Sequence, residues 1–144
     1  MSAFFIIDTH VVVAGLLTAH ADSPVARILD GMLSATFACV VSEALLAEYR
    51  AVLLRPKLCK LHGLSEPEVD TILTDIARHA IVLTRSNGTK VTSNAPDSGD
   101  QFLWDLLDAR ADLVLVTGDK LLLADLAMQP RVISPQGFIA QLTH

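Results

Sequence analysis

The sequence predicts a three-layer α/β/α sandwich around a central, mostly parallel sheet of five strands, and two observations carry that expectation. Four short runs, "AFFII", "TFACVV", "AIVLT" and "LVLVT", are continuously apolar rather than alternating, the pattern of strands buried on both faces. Between them the apolar period lengthens to three and four residues, so strands alternate with helices. Chains of that kind fold through right-handed crossovers onto a parallel sheet covered on both sides.

The first strand is read over Ala3–Ile7 and is followed by helices over His10–Thr18 and Pro24–Leu33. The second strand, Thr36–Val41, leads into Ser42, a helix cap for Glu43–Leu54, whose Leu45, Tyr49, Val52 and Leu53 share one face; Pro56 ends it. Ser65 caps the next helix, with Pro67 and two glutamates in its first turn and Val69, Ile72, Leu73 and Ile76 on one face. The third strand is Ala80–Thr84. After it, "RSNGTKVTSNAPDS" has the composition of a long loop, which reads either as a lid over a site or as a surface connection. A helix over Gly99–Arg110, the fourth strand Leu113–Thr117, a helix over Lys120–Ala127, a short fifth strand Arg131–Ile133 and a helix over Pro135–Leu142 complete the order.

Composition narrows the class. A length of 144 residues points to one domain spanning 1–144, able to bury about two-thirds of the surface its unfolded chain exposes. With 51% hydrophobic and only 19% charged residues the chain is core-rich rather than disordered, with apolar surface to spare for an oligomer interface. The net charge of -5 argues against binding nucleic acid by bulk charge, leaving a local patch as the route. "YRAVLLRPKLCK" gathers Arg50, Arg55, Lys57 and Lys60, and reads equally as a solvated helix end or a phosphate-binding patch. Cys39 and Cys59 show no CxxC or metal spacing and read as small core residues in a reducing, cytoplasmic setting. "MSAFFIIDTHVVV" has no Lys or Arg before its apolar run, and Asp8 interrupts that run, so it reads as neither a signal peptide nor a membrane span.

The acids carry the chemistry. Ligands of open parallel sheets bind beyond the carboxyl ends of the strands, where Asp8 follows the first strand and Asp119 follows the fourth after a Thr-Gly turn that the glycine eases. Singly, each reads as a helix cap. Glu48 lies on the margin of a buried helix face, where a carboxylate requires a cation, hydrogen bonds or a proton. Asp100, in the first turn of its helix, and its neighbour Asp97 read as dipole-favoured acids or as members of the same set. Asp8, Glu48, Asp100 and Asp119 at one edge would repel one another unless a divalent cation neutralises them, and an all-oxygen set suits Mg²⁺ or Mn²⁺. The five histidines show no ligand spacing, and no Ser or Cys nucleophile pairs with one of them.

"IIDTHVVVAGLL", "SPVARIL", "VVSEALLAEYRAVLLRPK" and "ADLVLVTGDKLLL", in that order and over nearly the whole chain, resemble the motifs of the PIN-domain ribonucleases. The likeness is greatest to bacterial members assigned as toxins of toxin-antitoxin systems. The resemblance implies strand order 3-2-1-4-5 and an acidic Mg²⁺ or Mn²⁺ site that hydrolyses single-stranded RNA, leaving 5′-phosphate and 3′-hydroxyl ends. Asp8, Glu48, Asp100 and Asp119 match the family's acids, and Thr9 and Thr117 fall where the family has supporting hydroxyls. Arg50, Arg55, Lys57 and Lys120 are the candidates for the RNA phosphates. His10 stands where the family usually has Asn, and Leu121 where many relatives carry a further Asp. The expected partners are the RNA substrate, a second copy in a homodimer and an antitoxin, with no membrane. A non-catalytic PIN module that binds RNA or protein is the runner-up. A phosphotransfer receiver domain lacks support, because the chain has no adjacent acidic pair near its N-terminus.

Overall fold

β1 (Phe4–Ile7) runs through Asp8 into α1 (Thr9–Leu17), and α2 (Pro24–Ser34) returns the chain to β2 (Val40–Ser42). α3 (Glu43–Leu53) follows β2 without a loop, and α4 (Pro56–His62), α5 (Glu66–His79) and β3 (Ile81–Leu83) come next. β4 (Leu113–Val116), α6 (Lys120–Leu123), β5 (Val132–Ile133) and α7 (Pro135–Leu142) complete the order, and residues 103 and 105–107 are helical. The structure is a computed structural model that describes residues 4–83, 103, 105–107, 110, 112–125 and 131–142. The expected loop after Arg85 and nearly all of the expected helix start near Gly99 lie outside these residues.

β1 pairs parallel with β4 from Phe4–Leu113 to Ile7–Val116, β4 pairs parallel with β5, and β2 pairs parallel with β3. The two ladders meet at a single parallel bridge between Phe5 and Cys39, where the Phe5 amide donates to the Ala38 carbonyl at 2.9 Å. The strand order is therefore 3-2-1-4-5, in the α/β architecture the sequence predicts. Parallel pairing brings the carboxyl ends of the strands to one edge, and the fully buried Ile6, Ile7, Val40, Val41, Leu115 and Val116 hold that alignment through the core. At the opposite edge Arg131 ties the start of β4 to the preceding helix. Its guanidinium donates to the carbonyls of Leu113 at 3.2 Å, Leu107 at 2.7 Å and Arg110.

The structure corrects several details. Ile81 and Val82 of β3 are 39% and 43% exposed, not buried on both faces, because β3 lies at the sheet edge. Pro56 ends α3 as expected but also opens α4, since a missing N–H costs nothing in the first turn of a helix. The second strand is shorter than its apolar run. Ala35 closes α2 in the left-handed region at φ 58, and Phe37 leaves the strand to pack edge-on against Phe138 at 4.9 Å between ring centroids. Gly31 lets the chain pass this close, since a Cβ there would meet Thr36 Oγ1 at 2.6 Å and the Phe37 ring at 2.7 Å. α6 stops at Leu123, short of the predicted Ala127. No helix among the described residues is long and apolar enough to cross a membrane.

The cysteines differ in environment. Cys39 is buried beside the β1–β2 bridge, and burial pushes its thiol up to about 12; Cys59 is half-buried on α4. A thiol whose pKa is raised in the folded state contributes stability that is complete below the ordinary thiol range and is lost as pH rises toward the folded value. One thiol per native chain, Cys59, is expected to react with a disulfide reagent at pH 8, and the second only after unfolding. Cys59→Ser should abolish the native reaction, and the chain should lose stability progressively between about pH 9 and 12 in urea titrations.

Candidate active site

The register of β1 against β4 places Asp8 beside Thr117, each one residue past its strand. The Asp8 amide donates to the Val116 carbonyl at 3.0 Å, extending the ladder, while the Asp8 carbonyl accepts from Val11 at 3.0 Å and starts α1. Asp8 is the N-cap residue of α1, yet its side chain makes no capping bond. It turns inward, 4% exposed, and accepts a hydrogen bond from Thr117 Oγ1 at 2.6 Å. The single hydroxyl proton of Thr117 is thereby used, and its oxygen accepts the Asp119 amide at 3.0 Å. Asp119 does cap its helix, through Oδ1 accepting from the Leu121 amide at 2.9 Å. Gly118 has neither a positive φ nor a crowded Cβ position, so the turn does not depend on glycine conformation as the sequence had suggested.

α3 supplies the flank. Leu45, Tyr49 and Val52 form its buried face, and Glu48 and Arg50 lie on opposite margins, about 160° apart at 3.6 residues per turn. Arg50 faces α5, where it pairs with Glu66 and with Asp70 at 2.8 Å. These hydrogen bonds, that to Asp70 foremost, raise the guanidinium pKa. Glu48, on the other margin, is half-buried. It makes no hydrogen bond or ion pair among the described residues. Tyr49, which the sequence reading placed only in the core, donates its hydroxyl to the Ile7 carbonyl, the residue before Asp8. Burial, with Cys39 and Asp8 nearby, raises its pKa well above the ordinary range, so it remains a donor. No pattern signal would have found this contact, since a tyrosine at a core position reads as packing alone.

The remaining candidates divide. Thr9 is buried, and its Oγ1 is a buried side-chain oxygen with no hydrogen-bond partner among the described residues. Asp97 and Asp100 lie outside the described residues. Arg55 and Lys57 are exposed where α3 meets α4, and Lys120 is exposed at the start of α6. His10 is exposed, and the Leu121 side chain is 66% exposed. A shallow cleft of about 370 Å³ between α2 and α7 is lined by Arg27 and Asp30 but by none of the candidate site acids.

The sequence profile of the PIN domain matches residues 5–121. The chain belongs to the PIN domain family. The crystal structure of PAE2754 from Pyrobaculum aerophilum is similar in fold, with a TM-score of 0.63 at 17% identity over 98% of this chain and 90% of that one. No curated protein matches. PIN domains are in general nucleases that act with divalent metals, which gives this chain its broad class.

The chemistry of the site residues bears on such a metal. Among the described residues no three His, Cys, Asp or Glu side chains are grouped closely enough to hold an ion. Mg²⁺, however, binds through one or two carboxylates while keeping several waters. Among the described residues of this PIN domain, Asp8 is a buried carboxylate with no cation paired to it, Asp119 is tied to it through Thr117, and the unpartnered Thr9 hydroxyl is a hard oxygen next in sequence. That donor set fits a hard divalent cation.

Thr117→Val keeps the side-chain volume but strands the Asp8 carboxylate and the Asp119 amide. It should lower stability by about 1–3 kcal/mol in urea titrations, whereas Thr117→Ser should retain most of it.

Proposed function

We propose that this PIN domain is a metal-dependent endoribonuclease that hydrolyses phosphodiester bonds of single-stranded RNA and acts as the toxin of a toxin-antitoxin pair. The observation that supports this reading is the Asp8–Thr117–Asp119 chain at the carboxyl ends of β1 and β4, which concentrates negative charge where a parallel sheet receives ligands. Asp8, Asp119 and Glu48, with Asp100 from the following segment, would hold Mg²⁺ or Mn²⁺ directly or through water. When bound, such an ion would neutralise these acids and would supply an activated water and charge stabilisation for phosphodiester hydrolysis.

The protein's own groups orient this chemistry. Thr117 holds Oδ2 of Asp8, and the Leu121 amide holds Oδ1 of Asp119, which leaves the other oxygen of each carboxylate to a ligand. Thr9 offers a hydroxyl at the same strand end. Arg55, Lys57 and Lys120 are exposed cations available to backbone phosphates, while Arg50 already carries two carboxylates and is the weaker candidate. The exposed apolar residues and high apolar share support a homodimer, and an antitoxin segment is the expected cover for the acidic crevice. The runner-up, a binding module without catalysis, draws on the exposed Leu121 where many relatives carry an acid.

Labelled single-stranded RNA incubated with Mn²⁺ should be cleaved, cleavage should stop with EDTA, and Asp8→Asn or Asp119→Asn should reduce it about 100-fold or more, beyond the 10–100-fold typical of groups that only support a metal ligand. Cleavage that survives both chelation and Asp8→Asn would sink the metal mechanism, and no cleavage under any condition favours the binding module. Expression in bacteria is expected to arrest growth, and light scattering at micromolar concentration to give the mass of a dimer.

A further inference from the structure

The sheet is nearly divided between β1 and β2. In β1 the even-numbered residues face β4, as the Phe4 amide to Asp112 and the Asp8 amide to Val116 show, and the odd-numbered residues face β2, as the Phe5 amide to Ala38 shows. By this alternation the Ile7 carbonyl points toward β2. The bridge Phe5–Cys39 is the one backbone pairing between these strands among the described residues, so no strand partner meets that carbonyl. The Tyr49 hydroxyl meets it instead, from a ring with 0% exposure.

We propose that Tyr49 is a positioning residue of the acidic site, a clamp whose hydroxyl bond to the Ile7 carbonyl sets the end of β1, and with it Asp8, against the turn of α3 that carries Glu48. Glu48 precedes Tyr49 directly and so stands about 1.5 Å along the helix axis from the clamp. Asp8 follows Ile7 directly. The two acids, 40 positions apart in sequence, are thus each one residue from the two ends of the same hydrogen bond. On the other side Asp8 is held through β4 and Thr117, so Tyr49 is the tie that relates the α3 acid to the strand acids. This rests on the metal-site reading of Asp8 and Glu48 above.

Tyr49→Phe keeps the ring and removes only the hydroxyl. Mn²⁺ affinity measured by electron paramagnetic resonance should weaken by about 10-fold, as for other groups that orient metal ligands. In RNA cleavage kcat should fall by a similar factor while KM for RNA stays unchanged, because the variant displaces ligands and not the phosphate-binding cations. Ile76→Val, a buried change on α5, serves as a control for lost stability and should leave both quantities at the wild-type value. Wild-type Mn²⁺ affinity and kcat in Tyr49→Phe, or equal losses in Ile76→Val, overturn the clamp and leave the metal site standing. A wild-type chain that binds no Mn²⁺ overturns the metal reading and the clamp together.

Discussion

The Thr117 hydroxyl is the point on which the site depends. It has one proton and gives it to Asp8, and its oxygen receives the Asp119 amide, so the ends of β1 and β4 share one buried atom. That sharing works only in the observed register, with Ile7 opposite Val116. A slip of one residue would reverse the faces of β4, exchange the packing environments of the buried Leu115 and Val116, and carry Thr117 away from Asp8. Core burial and site geometry are therefore the same constraint seen from two sides, and Arg131, three carbonyls deep at the other end of β4, holds the strand against slipping.

Topology explains why the acids collect here. The chain leaves β1 toward β2 and β3 on one side and takes up β4 and β5 on the other, so the connections diverge at the β1–β4 pair. Such a divergence opens a crevice at the carboxyl ends of the strands. Asp8, Thr117 and Asp119 stand at that end of the strands, and in the proposed site Glu48 would approach from α3 on the β2 side. The near-separation of β1 from β2 would leave room for that approach, and Tyr49 occupies the backbone position that strand pairing leaves open.

The charges sort by the same geometry. Arg50, the cation nearest Glu48 in sequence, is drawn across α3 to Glu66 and Asp70 on α5. Glu48 is thereby left without its sequence neighbour as a counter-ion, and Asp8 likewise pairs with no cation among the described residues. Among the described residues Asp8 and Glu48 carry no ion pair while Arg50 is paired on α5, and in a chain of net charge -5 that leaves a local demand for positive charge.

Period and turn chemistry were enough for the sequence to determine the alternation of strands and helices, the caps at Ser42 and Ser65, and the positions of Asp8 and Asp119 at strand ends, because each is a relation between near neighbours. The ordered motifs carried the family and the strand order. The sequence could not separate a cap from an inward-facing acid: Asp8 and Asp119 both precede helices, yet only Asp119 caps, because Asp8 meets a hydroxyl 109 positions away. The strand order placed β3 at an edge, but its apolar composition read as burial on both faces; the exposure of Ile81 and Val82 is decided by the strand's neighbours and not by its composition. The Tyr49 bond to Ile7 is of the same kind. Hydrophobicity placed that ring in the core, but only the folded arrangement of β1, β2 and α3 decided which carbonyl its hydroxyl would find.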